Sequence, residues 1–297
     1  MTKKVKTAVI GVGNMGENHA RIYSKISNLI AVADLDPQKG KLIANKYKCK
    51  FYHLYQQMLD QEKPQAVSVV VPTEFHKKIA IDCLKKKIPV LVEKPIAKSF
   101  SAAQEMLKEA KKNKTFLMPG HIERFNPAVI KLKQLIDQKR VGRIINLLAV
   151  RVGISPPRAR KSDVVLDLAT HDVDIFNYLL NDFPLKKKII KHQLFPDNLA
   201  DSASILLEYP ITTAIIQTNW ITPIKIRKLY LTGAKGFAKL DYINQKLVLY
   251  DKLSVKKVFV SKKEPLKQEL LFFLKNIKNF LLLKMTKQAI MAIKILS

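Results

Sequence analysis

Over roughly the first 120 residues, short unbroken apolar runs alternate with longer stretches of helical period. Residues 5–10, 29–33, 66–71, 88–92 and 115–118 read as strands with no polar face. Between them, the segments running to about Lys25 and those near 37–47, 74–86 and 100–112 read as helices. Strands rich in Val, Ile and Leu on both faces are what a parallel sheet covered by helices requires. The pattern therefore predicts a doubly wound α/β domain over 1–122. Beyond residue 124 the grammar changes. Helices near 127–139 and 167–180 are followed by closely set strand-like runs at 187–194, 201–209, 211–220, 226–233, 236–243 and 246–250. Turn signals such as Tyr209-Pro210 and Gly233-Ala234-Lys235-Gly236 separate them, which predicts an α+β domain over 123–265 with an open mixed or antiparallel sheet.

From residue 266 to 297 the helical period returns. Leu266, Leu270, Leu274, Ile277 and Leu281 share one face, and Lys267, Lys275 and Lys278 lie opposite. The apolar side needs a surface to cover, so these helices are expected to pack back on the first domain. A basic amphipathic helix lying on a membrane is the alternative.

Composition adds a strong charge. The 297 residues carry 53 Lys and Arg against 24 Asp and Glu, a formal net charge of +29, and only eight of the basic residues are Arg. The lysines are scattered over separate segments without interleaved aromatics, as on a solvated surface rather than a dedicated nucleic-acid face. Cys49 and Cys83 stand alone, as reduced thiols of a cytoplasmic protein do. No window approaches the roughly 20 apolar residues of a membrane span.

The chemistry starts at Gly11, Gly13 and Gly16, a G-x-G-x-x-G placed directly after a strand and before a helix. The first glycine permits a tight turn, the second a close approach to a pyrophosphate, and the third close packing of helix on strand. Asp34 follows the last of them by eighteen positions, at the end of the second strand. A carboxylate there accepts from ribose hydroxyls and repels a 2′-phosphate, so NAD is expected, with Lys39 and Lys41 keeping NADP open. Lys94 leaves the fourth apolar run at its C-terminal end, where such folds bind ligands. There it can take a proton from a substrate hydroxyl. Asp167 and His171 stand i, i+4 on one helix, so a carboxylate can orient an imidazole for acid–base work on an alcohol. Asp174 adds a third group, but no further His or Cys has ligand spacing, and no metal is expected.

Together, G-x-G-x-x-G, Pro72-Thr73-Glu74-Phe75-His76, Glu93-Lys94-Pro95 and the Asp167…His171…Asp174 segment resemble the glucose–fructose oxidoreductase / inositol dehydrogenase / rhizopine-catabolism family over essentially the whole chain. The resemblance implies a dehydrogenase acting on a CH–OH group. Gly11, Val12, Gly13, Asn14, Met15, Gly16, Asp34, Pro72, Thr73, His76, Glu93 and Lys94 would meet the cofactor, and Lys94, Asp167 and His171 the reacting hydroxyl. Either Lys94 or His171 would be the base. Gly120-His121-Ile122-Glu123-Arg124-Phe125-Asn126-Pro127 and the loop with Arg158 and Arg160 resemble the nucleotide-sugar branch. That implies substrate contacts from His121, Glu123, Arg124, Asn126, Arg158 and Arg160. It also implies oxidation of the 3-hydroxyl of UDP-N-acetylglucosamine, with the ketone passed to a PLP-dependent aminotransferase. A homo-dimer or homo-tetramer through the open sheet is implied as well. The departures are Ser162-Asp163, where the family often has two glycines, and Ala169 in place of a common glycine. Another sugar or cyclitol dehydrogenase of the family is the nearest alternative. A dinucleotide-sensing binding protein is a more distant one, since a sensor has no use for an acid–base set.

Overall fold

The computed structural model describes residues 4–154, 163–195, 199–251 and 254–296. The chain divides into two compact units, Met1–His121 with Leu266–Ile290, and Ile122–Pro265 with Met291–Ser297.

The first unit alternates β1 (Lys6–Ile10), α1 (Asn14–Ile26), β2 (Asn28–Ala33), α2 (Pro37–Tyr47), β3 (Lys50–Tyr52), α3 (Tyr55–Glu62), β4 (Ala66–Val69), α4 (Thr73–Lys85), β5 (Val90–Glu93), α5 (Phe100–Lys112) and β6 (Leu117–Gly120). All six strands are parallel, in the order β3-β2-β1-β4-β5-β6. The order in which strands are added reverses between β1 and β4, so a ligand crevice is expected beyond the carboxyl ends of those two strands. The central strands are buried almost throughout, as their unbroken Val and Ile runs require. Two elements appear that periodicity does not reveal. β3 is three residues long, and α3 has only Met58 and Leu59 buried.

The second unit holds α6 (Pro127–Asp137), β7 (Ile144–Val152), a π-helical turn at Val165–Ala169, α7 (Thr170–Leu180), β8 (Lys186–His192), β9 (Ser202–Glu208), β10 (Thr213–Asn219), β11 (Ile226–Gly233), β12 (Gly236–Asp241), β13 (Lys246–Tyr250) and β14 (Val255–Val258). Its sheet runs β14-β13-β12-β11-β7-β10-β9-β8, antiparallel except for the parallel pair β7 and β10. One face is a core row of alternating residues: Leu147 and Ala149, Ala214 and Ile216, Leu229 and Leu231, Ala238 and Leu240. Strand β7 sits near the middle of the sheet, at 144–152, where no strand is expected from the sequence. Arg151 occupies a position of its inward row, which breaks the apolar alternation that would have marked it.

Two C-terminal helices follow, α8 (Pro265–Asn276) and α9 (Leu283–Leu296). In the first unit Phe273 of α8 lies with its ring 6.0 Å from that of Phe116, and the Thr286 hydroxyl of α9 donates to the Leu117 carbonyl at 2.5 Å. Among the described residues no helix is long and apolar enough to cross a membrane.

Candidate functional site

The glycine turn between β1 and α1 separates two kinds of need. Gly11 has φ +85°, and a Cβ on it would lie 2.4 Å from the Val70 carbonyl oxygen. A Cβ on Gly16 would lie 1.9 Å from the carbonyl oxygen of Gly11. Both are required by the chain's own packing. A Cβ on Gly13 would meet nothing within 4 Å, so that glycine leaves open space beside the backbone. Gly13 is also the N-cap of α1 and supplies no side-chain capping bond. The positive end of α1 thus faces an open cradle, the arrangement that receives a phosphate. Asn14 and Met15, the first residues of the helix, are exposed, whereas Val12 is buried. Asp34 closes the other side of the turn. Its Oδ2 accepts from the Val12 N–H at 2.6 Å and its Oδ1 from the Asp36 N–H at 2.9 Å. A carboxylate oxygen accepts more than one bond, so Asp34 keeps capacity for a ribose hydroxyl. The cradle, the uncapped helix and this carboxylate fit a bound dinucleotide.

Two neighbouring strand ends carry the lysine turn. Glu93 closes β5, with Lys94 half-buried directly after it and a cis Lys94–Pro95 peptide bond following. The Glu93 carboxylate takes His19 Nε2 of α1 at 3.0 Å on one oxygen and the Lys94 N–H at 3.1 Å on the other. Burial pushes its pKa up, but the His19 bond and the Lys94 N–H outweigh this and hold it below its ordinary value. Gly120 of β6 makes room for it, since a Cβ there would lie 3.2 Å from Glu93 Oε2. On the other side His76 of α4 is buried, with Nδ1 2.9 Å from the Pro95 carbonyl and Nε2 2.8 Å from the Val71 carbonyl. Burial depresses the pKa of this imidazole. His19 and His76 thus tie α1 and the β4–α4 loop to the segment that presents Lys94. Pro72 is the exposed N-cap of α4 and Thr73 its half-buried first residue. His121 is buried just past β6, its N–H donating to the Pro119 carbonyl at 3.0 Å.

In the second unit Asp163 starts the acid–base segment. Its Oδ1 accepts the Val165 N–H at 2.8 Å, its carbonyl the Asp167 N–H at 3.0 Å, and its Oδ2 binds Lys191 of β8 at 2.8 Å. The residue that stands where the family often has glycine is therefore a cap. Asp167 falls in the π-helical turn rather than in a regular α-helix, half-buried, and His171 is buried in the first turn of α7. Such wide turns recur at functional sites.

The residues expected on the substrate have partners inside the unit. Arg124 forms a bidentate pair with Asp174, Nε at 2.7 Å and Nη2 at 2.6 Å, with its guanidinium 5.3 Å from the Tyr178 ring centroid. Asn126 caps α6 through the Ala128 N–H at 3.1 Å and donates to the Tyr242 carbonyl at 3.0 Å. Glu123 accepts from Arg151 Nη1 at 3.0 Å. Arg158 and Arg160 lie outside the described residues. Among the described residues no group of His, Cys, Asp and Glu could hold a metal ion.

Sequence reasoning misses the partners His19, Arg151 and Asp172. Arg151 is 1% exposed and binds Asp172 through Nε at 2.7 Å and Nη2 at 3.1 Å, over the ring of Tyr242. Burial opposes its charge, and Asp172 and Glu123 more than restore it. One signal was available. In a chain that uses Lys for nearly every positive charge, each Arg marks a place where a flat, forked donor is wanted.

The chain is similar to known proteins over most of its length. Residues 5–121 match a family model described as an oxidoreductase family with NAD-binding Rossmann fold, and residues 129–239 match the GFO/IDH/MocA C-terminal domain. A UDP-N-acetylglucosamine 3-dehydrogenase of Acidithiobacillus ferrooxidans is 26% identical over 246 residues, covering 83% of this chain and 77% of that protein. An inositol 2-dehydrogenase of Salmonella typhimurium is 23% identical over 261 residues, 80% of this chain and 74% of that one. A solved structure of the Acidithiobacillus ferrooxidans enzyme superposes with a TM-score of 0.89 at 25% identity, covering 98% of this chain and 96% of its own. Levoglucosan dehydrogenase in complex with NADH and levoglucosan shares the fold, with a TM-score of 0.87 at 16% identity, 98% of this chain and 96% of its own.

Proposed function

The chain belongs to the GFO/IDH/MocA oxidoreductase family as an NAD-binding enzyme acting on CH–OH groups, and from that premise we propose that its substrate is a nucleotide-linked sugar. The specific reading is oxidation of the 3-hydroxyl of UDP-N-acetylglucosamine to a ketone. Similarity to a UDP-N-acetylglucosamine 3-dehydrogenase over most of both chains supports it. The observation that carries the dehydrogenase site is internal to the first unit. The uncapped N-terminus of α1 and the Lys94 turn stand at the same edge of one sheet, one after β1 and the other after β5.

Bound NAD supplies the hydride acceptor. Gly13 lets the backbone approach its pyrophosphate, Gly11 and Gly16 hold the turn that places it, Asn14 and Met15 begin the helix that faces it, and Asp34 accepts from the adenosine ribose. A 2′-phosphate would meet that carboxylate, so NAD is preferred to NADP. Lys94 or His171 takes the proton of the reacting hydroxyl, and Asp167 orients the imidazole. Pro72, Thr73 and His76 flank the nicotinamide side. A ketone next to a nitrogen-bearing carbon suits consumption by a PLP-dependent aminotransferase. The outer face of the open sheet joins copies into a dimer or tetramer.

Similarity to inositol 2-dehydrogenases over 80% of the chain supports a second reading, a free cyclitol as substrate. One assay separates the two: NADH formation from NAD with UDP-N-acetylglucosamine, with an aminotransferase and glutamate added to remove the ketone. Growth of NADH that depends on the UDP-sugar supports the first reading. Growth with inositol alone and none with the UDP-sugar replaces it with the second.

A further inference from the structure

We propose that Arg227 is an anion-binding residue that holds a phosphoryl group of the substrate. Arg227 lies near the start of β11 in the inward row that Leu229 and Leu231 continue into the core. The sheet register sets it opposite Arg151 of β7. Two guanidinium groups on facing positions of adjacent strands repel. Arg151 resolves its own side of this conflict by binding both Asp172 and Glu123. Those two carboxylates are thereby engaged. Arg227 makes no side-chain hydrogen bond among the described residues, and its Nε is buried without an acceptor. Burial and the neighbouring Arg151 both work against its charge, while Glu123, Asp172 and Asp167 favour it through space.

An unpaired buried guanidinium edge is a cost that an outside acceptor relieves. Arg227 is half-buried, so an anion meets it from its open side rather than at the buried Nε, and the acceptor that best matches a guanidinium is a phosphate or carboxylate oxygen pair. Phosphate is the choice here because the proposed substrate carries two and no carboxylate, so that identification rests on the proposed function; the anion site does not. The charge of Asp167 reaches Arg227.

The test is equilibrium binding of UDP, inorganic pyrophosphate, uridine and NAD to the full chain and to its Arg227→Ala and Arg227→Lys variants. Arg227→Ala should weaken UDP and pyrophosphate at least tenfold, and Arg227→Lys should recover part of the loss as a point charge without the fork. Uridine and NAD should stay within twofold, and the NAD result also reports an intact fold. UDP and pyrophosphate binding retained within twofold in Arg227→Ala overturns the assignment. So does a matching loss of NAD in both variants, which gives the residue to the dinucleotide or to the fold. Wild-type protein that binds neither UDP nor pyrophosphate overturns it as well. Pyrophosphate binding that depends on Arg227 in a protein that ignores UDP keeps the anion site and removes the sugar-nucleotide reading.

Discussion

At the scale of single residues, the three glycines of one motif have different duties, and the difference can be measured. Gly13→Ala adds a methyl group to open space, so its unfolding midpoint should stay near that of the wild type while NAD affinity falls by about tenfold or more. Gly16→Ala drives a methyl group into the Gly11 carbonyl and should lose about 1–3 kcal/mol or more of stability, as overpacked sites do. Thermal unfolding and NAD titration of the two variants decide the matter. A Gly13→Ala protein that melts early yet binds NAD normally would contradict the cradle. Asp34 combines both roles, since it holds the Val12 N–H and presents the acceptor for the ribose. Asp34→Ala should therefore weaken NAD more than NADP, and equal losses for the two would remove the ribose contact. These residues were legible in the sequence because the motif is local: three glycines, a strand before, a helix after, and a carboxylate at the end of the next strand. Arg124 was legible as unusual but not in its partner. Asp174 lies 50 positions away, and no spacing rule links the 3-10 turn Ile122–Phe125, which carries Arg124, to the second turn of α7.

At the scale of elements, the β–α alternation of the first unit could be read because each strand is apolar on both faces, and β3 escaped only by its brevity. The second unit was harder, and β7 shows why. A central strand with a buried arginine in its inward row breaks the apolar alternation, and its meaning depends on Asp172 of α7 and Glu123 of the turn before α6. That dependence makes Arg151 a test of the packing. Asp172→Asn leaves the buried guanidinium with one carboxylate and should cost about 3–5 kcal/mol, the range for breaking a buried ion pair from one side. Denaturant unfolding reads this directly, and a loss below about 1 kcal/mol would mean that water already reaches the pair. The Lys94 turn is the corresponding element in the first unit. Glu93, His19 and His76 fix the backbone on either side of Lys94. Lys94→Met should keep NAD binding measurable and remove most turnover. Near-normal turnover would end the proposed role of the lysine, whichever sugar or cyclitol is the substrate.

At the scale of the molecule, the charge and the open sheet pull in opposite directions. A chain carrying +29 repels its own copies, and both edge strands of the large sheet strengthen that repulsion. β8 carries Lys186, Lys187, Lys188 and Lys191, and β14 carries Lys256 and Lys257, which discourages strand addition at either edge. The outer face of the same sheet is different. Register aligns Leu206, Ile215, Leu148 and Tyr230 into one row across four strands, and beyond it the Phe237 ring lies 6.1 Å from Tyr230 and 5.6 Å from Tyr250. An apolar row bounded by charged edges favours association face to face rather than edge to edge, and a stable contact of this kind buries about 800 Å² per partner. The proposed dimer should therefore tighten as salt rises from low to physiological strength, because screening reduces the repulsion and leaves apolar burial nearly untouched. Ile215→Lys combined with Tyr230→Glu should yield monomers by light scattering while unfolding remains cooperative. A pair that keeps its mass after both substitutions, or a wild-type dimer that dissociates as salt is added, would place the contact elsewhere and make charge rather than the apolar row its cause.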